Sequence, residues 1–574
     1  MERNLLRFLF VVIVCIVIVG GSFTLWRFSA HAYYGGPGSY VALGGQAVPL
    51  IQNAQMLQDT PSDQPLSLSI SLQMRNAAAL DHLLQALYDP GSTSYHQFLT
   101  PDQFQQLFAP DDSQVQQVVS YLQSQGLVVT NVASNNLLID ASGTVGQAQQ
   151  AFNVHMQNYR LGSHTFYANS SSPQVPANLL PLISAINGLD NSVQLQPYYQ
   201  QRAQLPLNSS AYGPQDLSAA YDITPLQNMG IQGEGQTVAL FELDGYQASD
   251  VAQYVKGYYP GASAPNMRTI LVDGFNGKAG SGAVEVEMDM ELIAAVAPHA
   301  TQLIYEGSNT NQGVNDTYNR IVTDNKAQVV SISWGICEAV NGSSELKTLD
   351  TIFKQGAAQG ISFFAAAGDS GAYDCKDTNL GVDSPASDPY VTSVGGTTLQ
   401  MGGTPEQSET VWSDPSDILR APKGSGGGGG MSKTYKLSSW QSGPGVKNQY
   451  SNGYRQVPDV AANADPNTGY AVYCTVHNAG CPLDGWLSLG GTSAAAPIWA
   501  ASTLLLNQYL HNQGKTRLGF ANPALYNLAR TNQSHSAFTD ITRGDNLYYP
   551  ATSTYDLASG LGTPDFYNMA RDLD

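Results

Sequence analysis

Thr237-Val238-Ala239-Leu240-Phe241-Glu242 is a nearly unbroken apolar run, and its composition decides the fold. It lacks the polar alternation of a strand with one wet face, so the strand it predicts is buried on both sides. Comparable runs follow at 268–272, 302–305, 329–333 and 361–366, with helical spacing between them. Strands of this kind alternating with helices build a parallel sheet covered on both faces, so the unit that begins near Tyr212 reads as a doubly wound α/β domain. Upstream the pattern changes. Residues 66–74 alternate as a strand, 77–88, 101–108 and 113–125 carry helical periodicity, strands are predicted at 127–132 and 136–141, a helix at 144–152 and a strand near 154–159. Their order predicts an α+β domain of split β-α-β, ferredoxin-like type with an antiparallel sheet, and it contains no catalytic constellation. Between the two units, residues 189–208 turn rich in Gln, Pro and Ser and lose periodicity, as a linker does. The expected division is 1–32 for targeting, 33–190 for the first domain, 191–211 for the linker and 212–574 for the second domain.

The chain has 574 residues, enough for a large buried core. Only 12% are charged, and 45 acidic against 25 basic residues leave a net charge of −20, which excludes a nucleic-acid binder that tracks phosphates with a basic face. A surface poor in Lys and Arg also gains little positive charge when its carboxylates are protonated, which suits acidic surroundings. At the N-terminus, Arg3 and Arg7 precede an apolar run over 8–26 and then Ala30-His31-Ala32, the layout of a cleaved export signal; an uncleaved membrane anchor is the alternative. Cys15 falls inside that segment. Of the remaining cysteines, Cys474 and Cys481 flank a short stretch and Cys337 and Cys375 each follow a predicted strand, so two disulfides are expected outside the cell, with pairing left open and free thiols as the alternative.

Three segments carry chemistry. Gly490-Gly491-Thr492-Ser493-Ala494-Ala495-Ala496-Pro497 precedes an apolar helical stretch, so Ser493 stands on a glycine turn at a helix N-terminus, where backbone N–H groups help hold an oxyanion. The octapeptide is similar to the nucleophile segment of subtilisin-like hydrolases. None of the nine histidines lies in the His-Gly-Thr segment that would supply the usual base. Glu285 and Asp289 are four residues apart on one face of a predicted helix, where paired carboxyls share a proton and one can serve as base. The other reading of that stretch is a solvated acidic helix start, to which Glu287 and Glu291 are assigned. Asp369, in Ala367-Gly368-Asp369-Ser370-Gly371, follows a buried strand at the sheet end where sites assemble, and when protonated it can donate to an oxyanion. The tract 424–430 lacks the lysine of a phosphate loop and reads as a flexible or extended surface loop.

Together these elements resemble the sedolisin family of serine-carboxyl peptidases, its kumamolisin-like pro-enzymes in particular. The resemblance implies a subtilisin-like catalytic domain with a Ser493-Glu285-Asp289 triad and Asp369 in the oxyanion hole. The Ser331-Ile332-Ser333-Trp334-Gly335 and Phe241-Glu242-Leu243 matches imply that Trp334 and Glu242 extend the acidic network, and Val457-Pro458-Asp459-Val460-Ala461-Ala462 and the glycine tract also fit. By the same resemblance one Ca2+ is bound by Asp540 and Asp556 with the carbonyls of Ile541, Thr552 and Thr554, although threonines stand at 552 and 554 where the family has glycines. Tyr95-His96-Gln97-Phe98-Leu99-Thr100-Pro101 and Val175-Pro176-Ala177-Asn178-Leu179 make the first unit similar to the family's activation prodomain, an intramolecular inhibitor, with processing expected near 200–210. The implied function is a secreted, acid-acting endopeptidase that cleaves proteins and activates itself; the alternative is a non-catalytic extracellular binding protein with the same fold. No nucleic-acid partner is expected, and a membrane only through the N-terminal segment.

Overall fold

The computed structural model describes residues 39–201, 211–402, 407–417, 423–531 and 533–573. The expected signal or anchor, residues 1–32, lies outside them, as do residues 202–210 of the expected processing stretch. Among the described residues no helix is long and apolar enough to cross a membrane.

The first domain centres on Pro65–Leu72, which pairs antiparallel with Leu138–Thr144 on one side and Ile183–Asn187 on the other, with Val128–Val132 at the edge. Leu68 and Ile70 point from this sheet into a core shared with Val118 and Leu122 of the helix Asp112–Ser124 and Phe152 of Val145–Phe152. The helix Pro101–Phe108 starts on a capping box in which Thr100 and Gln103 satisfy each other's backbone N–H. Just before it, the 95–101 motif docks this domain onto the other. Phe98 lies against Gly360 and Gly519, where a Cβ would stand 2.4 and 2.5 Å from its ring, and the Leu99 N–H donates to the Ala358 carbonyl at 2.9 Å.

The second domain is built on an eight-stranded sheet whose order runs Asn266–Leu271, Thr301–Glu306, Thr237–Glu242, Val329–Ile332, Ser362–Ala366, Thr392–Met401, then Gln407–Val411, with Val460–Asn463 also pairing with Thr392–Met401. Every pairing is parallel except that of Gln407–Val411. The doubly wound reading therefore holds, and the strand Thr237–Glu242 sits inside the sheet. Two buried helices, Ala283–Val296 and Thr492–Asn512, carry the candidate serine and acids; every residue of the first is buried.

Three expectations change. The glycine tract is buried rather than superficial: the Gly428 N–H donates to the Gly368 carbonyl at 2.8 Å, and a Cβ at Gly428 would stand 2.0 Å from the Ala367 carbonyl oxygen. Glycine is there because two backbones touch, which sequence reads the same way as flexibility. Glu287 and Glu291 are fully buried too, so the helix is not a solvated acidic start. Part of the linker is ordered: Gln196–Pro197 and Gln200–Gln201 form short strands against the catalytic domain. The cysteines left open in pairing are bridged as Cys337–Cys375 and Cys474–Cys481.

Candidate active site

The helix that begins at Thr492 needs a tight entry. Gly491, at φ 101°, supplies it, and its N–H donates to the Ala464 carbonyl at 2.6 Å. Pro497 lies four residues after Ser493 and has no N–H, so the Ser493 carbonyl lacks its usual helical donor. The Ser333 hydroxyl stands 3.3 Å from that carbonyl instead. It also lies 2.8 and 2.7 Å from the two carboxyl oxygens of Asp289, so Ser333 bridges the serine helix to the acid helix.

The Ser493 hydroxyl donates to Oε2 of Glu285 at 3.0 Å. Among the described residues no histidine hydrogen-bonds to Ser493, Glu285 or Asp289; those with partners bond to Thr516, Asp59, Ser192, Glu234 and Asp572. Glu242, at the end of its strand, accepts the Trp334 indole N–H at 2.9 Å. Glu242, Glu285 and Asp289 are all fully buried. Burial is the main force raising each carboxyl well above its ordinary range, and mutual repulsion among the three adds to it for Glu285 and Glu242. Glu242, Glu285 and Asp289 act on one another, so their titrations are coupled.

Asp369 approaches from the end of Ser362–Ala366, two strands across from Thr237–Glu242. Its Oδ1 accepts the Thr492 N–H at 2.8 Å and the Thr492 hydroxyl at 2.9 Å, while the glycine tract backs it: the Gly426 N–H donates to the Asp369 carbonyl at 3.0 Å. Its Oδ2 is 2.9 Å from the position a Cβ of Gly491 would take. The structure thus brings together Ser493, Glu285, Asp289, Asp369, Glu242 and Trp334. Ser333 and Thr492 were missed as functional residues, although both lie within quoted motifs; a hydroxyl next in sequence to a recognised side chain, Trp334 or Ser493, was the available signal. The other two helix acids occupy the opposite face, where Glu287 accepts the Gln247 N–H at 2.9 Å and Glu291 the Tyr473 N–H at 2.8 Å.

Of the expected calcium ligands, Asp540 and Asp556 both hydrogen-bond to the 552–554 turn. Thr554, at φ 66°, donates its N–H to Asp540 at 2.9 Å, and the Thr552 N–H donates to Asp556 at 2.7 Å, so both carboxylates flank one turn of backbone. Asp556 is 4% exposed, and burial raises it to about 6 despite backbone donors from Thr552, Ala558 and Ser559. An all-oxygen set around a buried carboxylate fits a hard cation. The positive φ at Thr554 explains the family glycine there. One further cluster of metal-ligating types, Glu287 with Cys474 and Cys481, consists of a disulfide beside a carboxyl and has no thiolate to offer.

A parallel sheet with a buried serine helix, a carboxyl group in place of histidine and a docked N-terminal domain defines a serine peptidase of subtilisin-like fold carrying its own prodomain. Residues 52–192 match the model of the pro-kumamolisin activation domain, and residues 267–537 match that of the subtilase family. Kumamolisin from Bacillus sp. (strain MN-32) is 34% identical over 477 residues, 78% of this chain and 81% of that protein. Sedolisin from Pseudomonas sp. (strain 101) is 30% identical over 549 residues, 90% of this chain and 89% of that one. The solved Pseudomonas sedolisin, in complex with two molecules of pseudo-iodotyrostatin, superposes with a TM-score of 0.55 at 28% identity, covering 63% of this chain and 98% of its own. The chain belongs to the sedolisin family and is a serine-type endopeptidase.

Proposed function

We propose that the chain is an exported zymogen in which Ser493 is the nucleophile, Glu285 the general base, Asp289 its support, and protonated Asp369 the oxyanion donor beside the Ser493 N–H. The observation that carries this reading is the Ser493 hydroxyl donating to Glu285 within a group of fully buried acids. Ser493 Oγ attacks the scissile carbonyl while Glu285 takes its proton; Glu285 returns the proton to the leaving amine, and water then hydrolyses the acyl-enzyme by the same relay. Asp289, with Ser333, shares the charge that Glu285 surrenders and regains. Glu242, anchored by Trp334, extends that sharing. Acid is required because only the protonated form of Asp369 donates to an oxyanion, whereas its carboxylate would repel one.

Asp540 and Asp556, with the carbonyls of Ile541, Thr552 and Thr554, would hold one Ca2+, which when bound would neutralise the two carboxylates and fix the turn. The two disulfides support an oxidising, extracellular workplace, in keeping with the N-terminal export pattern. The 33–190 domain would inhibit by covering the cleft until processed. Glu285→Gln, activated in trans by wild-type enzyme and then separated from it, should lose on the order of a thousandfold or more in kcat/KM on a protein substrate at about pH 4, as should Ser493→Ala. Full activity of Glu285→Gln, or a wild-type optimum above neutral pH, would sink the assignment.

A further inference from the structure

The ordered part of the linker runs through the cleft. Gln196 and Pro197 pair antiparallel with Gly335 and Trp334, the Tyr198 N–H donates to the Ser333 carbonyl at 3.2 Å, and Gln200 and Gln201 pair antiparallel with Gly490 and Leu489. The segment is therefore held as an extended strand on both sides of Tyr198-Tyr199. The Tyr198 carbonyl oxygen accepts the Ser493 N–H at 3.4 Å. The same oxygen lies 1.9 Å from the position a Cβ of Gly491 would occupy, and Asp369 Oδ2 lies 2.9 Å from it. The carbonyl thus sits where the nucleophile's own N–H and the oxyanion acid converge. Strands pair along edges throughout proteins, but a carbonyl directed at the backbone N–H of a nucleophile marks the bond that follows it.

The Tyr198 side chain is buried, 4% exposed, in a slot floored by Gly335, where a Cβ would stand 2.7 Å from its ring. Its hydroxyl lies beside the Asp383 carboxyl, with Asp374 and Asp369 also close enough to act on it. Asp383 and Asp374 are themselves buried and belong to the chain around the Cys337–Cys375 bridge. A slot of this construction takes a flat ring and offers a polar acceptor at its end, which matches a phenol.

Resting on the proposed function, we infer that Tyr198–Tyr199 is the bond the zymogen cuts in itself, and that the Gly335–Asp383 slot selects tyrosine on the acyl side of every bond the mature enzyme cuts. In that step Ser493 Oγ bonds to the Tyr198 carbonyl carbon, its proton passes to Glu285, and the C–N bond breaks as the Tyr199 nitrogen takes that proton. Water then releases a prodomain that ends at Tyr198 from a catalytic chain that begins at Tyr199. The bond is just upstream of the 200–210 stretch expected from composition.

Two measurements test this. The purified full chain is shifted from pH 7 to about pH 4 and sampled by intact mass and N-terminal sequencing, beside Ser493→Ala. The first new N-terminus should be Tyr199 in the wild type and absent from Ser493→Ala. A first Ser493-dependent cut at another bond overturns the assignment of the bond and leaves the protease reading standing. No Ser493-dependent cut, together with no hydrolysis of a peptide library, overturns the function and the bond with it. Peptides spanning Gln196–Gln201 with Tyr, Phe, Leu or Arg at the 198 position are then given to the mature enzyme. A site that hydrogen-bonds a substrate hydroxyl rejects the analogue lacking it, so Tyr should exceed Phe by about tenfold or more in kcat/KM. The ratio should fall to within about threefold in Asp383→Ala and persist in part in Asp383→Asn, which still offers an acceptor. Equal rates for Tyr and Phe, or a faster Arg peptide, overturn the slot's assignment.

Discussion

Replacing Glu287 by glutamine should remove one proton from the pH dependence of stability. Burial, with repulsion from Asp250, raises Glu287 from 4.5 to about 8 in the folded protein, against the lowering effect of the Gln247 N–H. Burial with repulsion from Asp190 raises Glu345 to about 8 as well, against the Asn315 amide. Both native carboxyls are raised, so between pH 4.5 and 8 the folded chain holds protons that the unfolded chain has released, and stability falls as pH rises. Each group contributes a slope of about 1.4 kcal/mol per pH unit in that window, so from pH 5.5 to 7.5 the two together remove about 5 kcal/mol. That is a large part of the roughly 5–15 kcal/mol typical of a folded domain. Glu234, lowered to about 2 chiefly by His299 and Gln508 against burial, acts with the opposite sign but only below pH 4.5. The assay is urea unfolding of the Ser493→Ala protein, which cannot digest itself, at pH 5.5, 6.5 and 7.5 with calcium and ionic strength fixed. Stability should fall across the series, and Glu287→Gln should flatten the fall by about 1.4 kcal/mol per unit. A flat or rising profile in the parent, or an unchanged slope in Glu287→Gln, would refute the reasoning.

Gly428→Ala forces a methyl group to within 2.0 Å of the Ala367 carbonyl, two residues before Asp369, so it should cost about 1–3 kcal/mol and lower kcat more than it raises KM; kinetics on the folded fraction decide it. Chelation should lower the melting temperature of the mature domain, because calcium at about a hundredfold its Kd adds about 2.7 kcal/mol, and Asp556→Asn should melt alike with and without chelator. Burial, with Arg517 beside it, lowers His96 to about 4 at the domain contact, so docking there is fully favourable above about 6.5 and weakens as pH falls toward 4, by about 1–2 kcal/mol once solvent screening is allowed for. His96→Phe should flatten the fall in affinity between the cleaved prodomain and the mature domain from pH 6.5 to 4 by about that amount, and an unchanged fall counts against it.

What was legible in the sequence was whatever repeats locally. The run 237–242 matches its strand to the residue, and 101–108 its helix, because apolar spacing and a capping box act within a few positions. Glu285 and Asp289 were visible because one helix carries both. The burial of Glu287 and Glu291 was not, since an acid facing another strand's N–H looks the same in sequence as an acid facing water. The glycine tract failed for a related reason: close backbone contact and flexibility both demand glycine, and the partner, Ala367, is some sixty residues away. The short strands within the linker were not visible because they are satisfied by edges at 334–335 and 489–490 rather than by their own periodicity.

Those long-range contacts also set what acid does to the precursor. His96 loosens the domain contact toward low pH. Another contact runs the other way. Asp140 of the first domain is raised to about 6 by burial with Asp273 adding repulsion, and Asp316 of the second to about 10 by burial and then Asp140. The docked state holds more protons there than separated domains would, so this contact tightens as pH falls through those values. Contacts of opposite sign leave acid a weak lever on docking itself. A cut in the linker is stronger, because it turns a tethered domain at an effective concentration of order millimolar into a free molecule at its bulk concentration. Hydrolysis of the segment lying in the cleft, as inferred above, rather than titration of the interface, would therefore be the step that commits the precursor to activity.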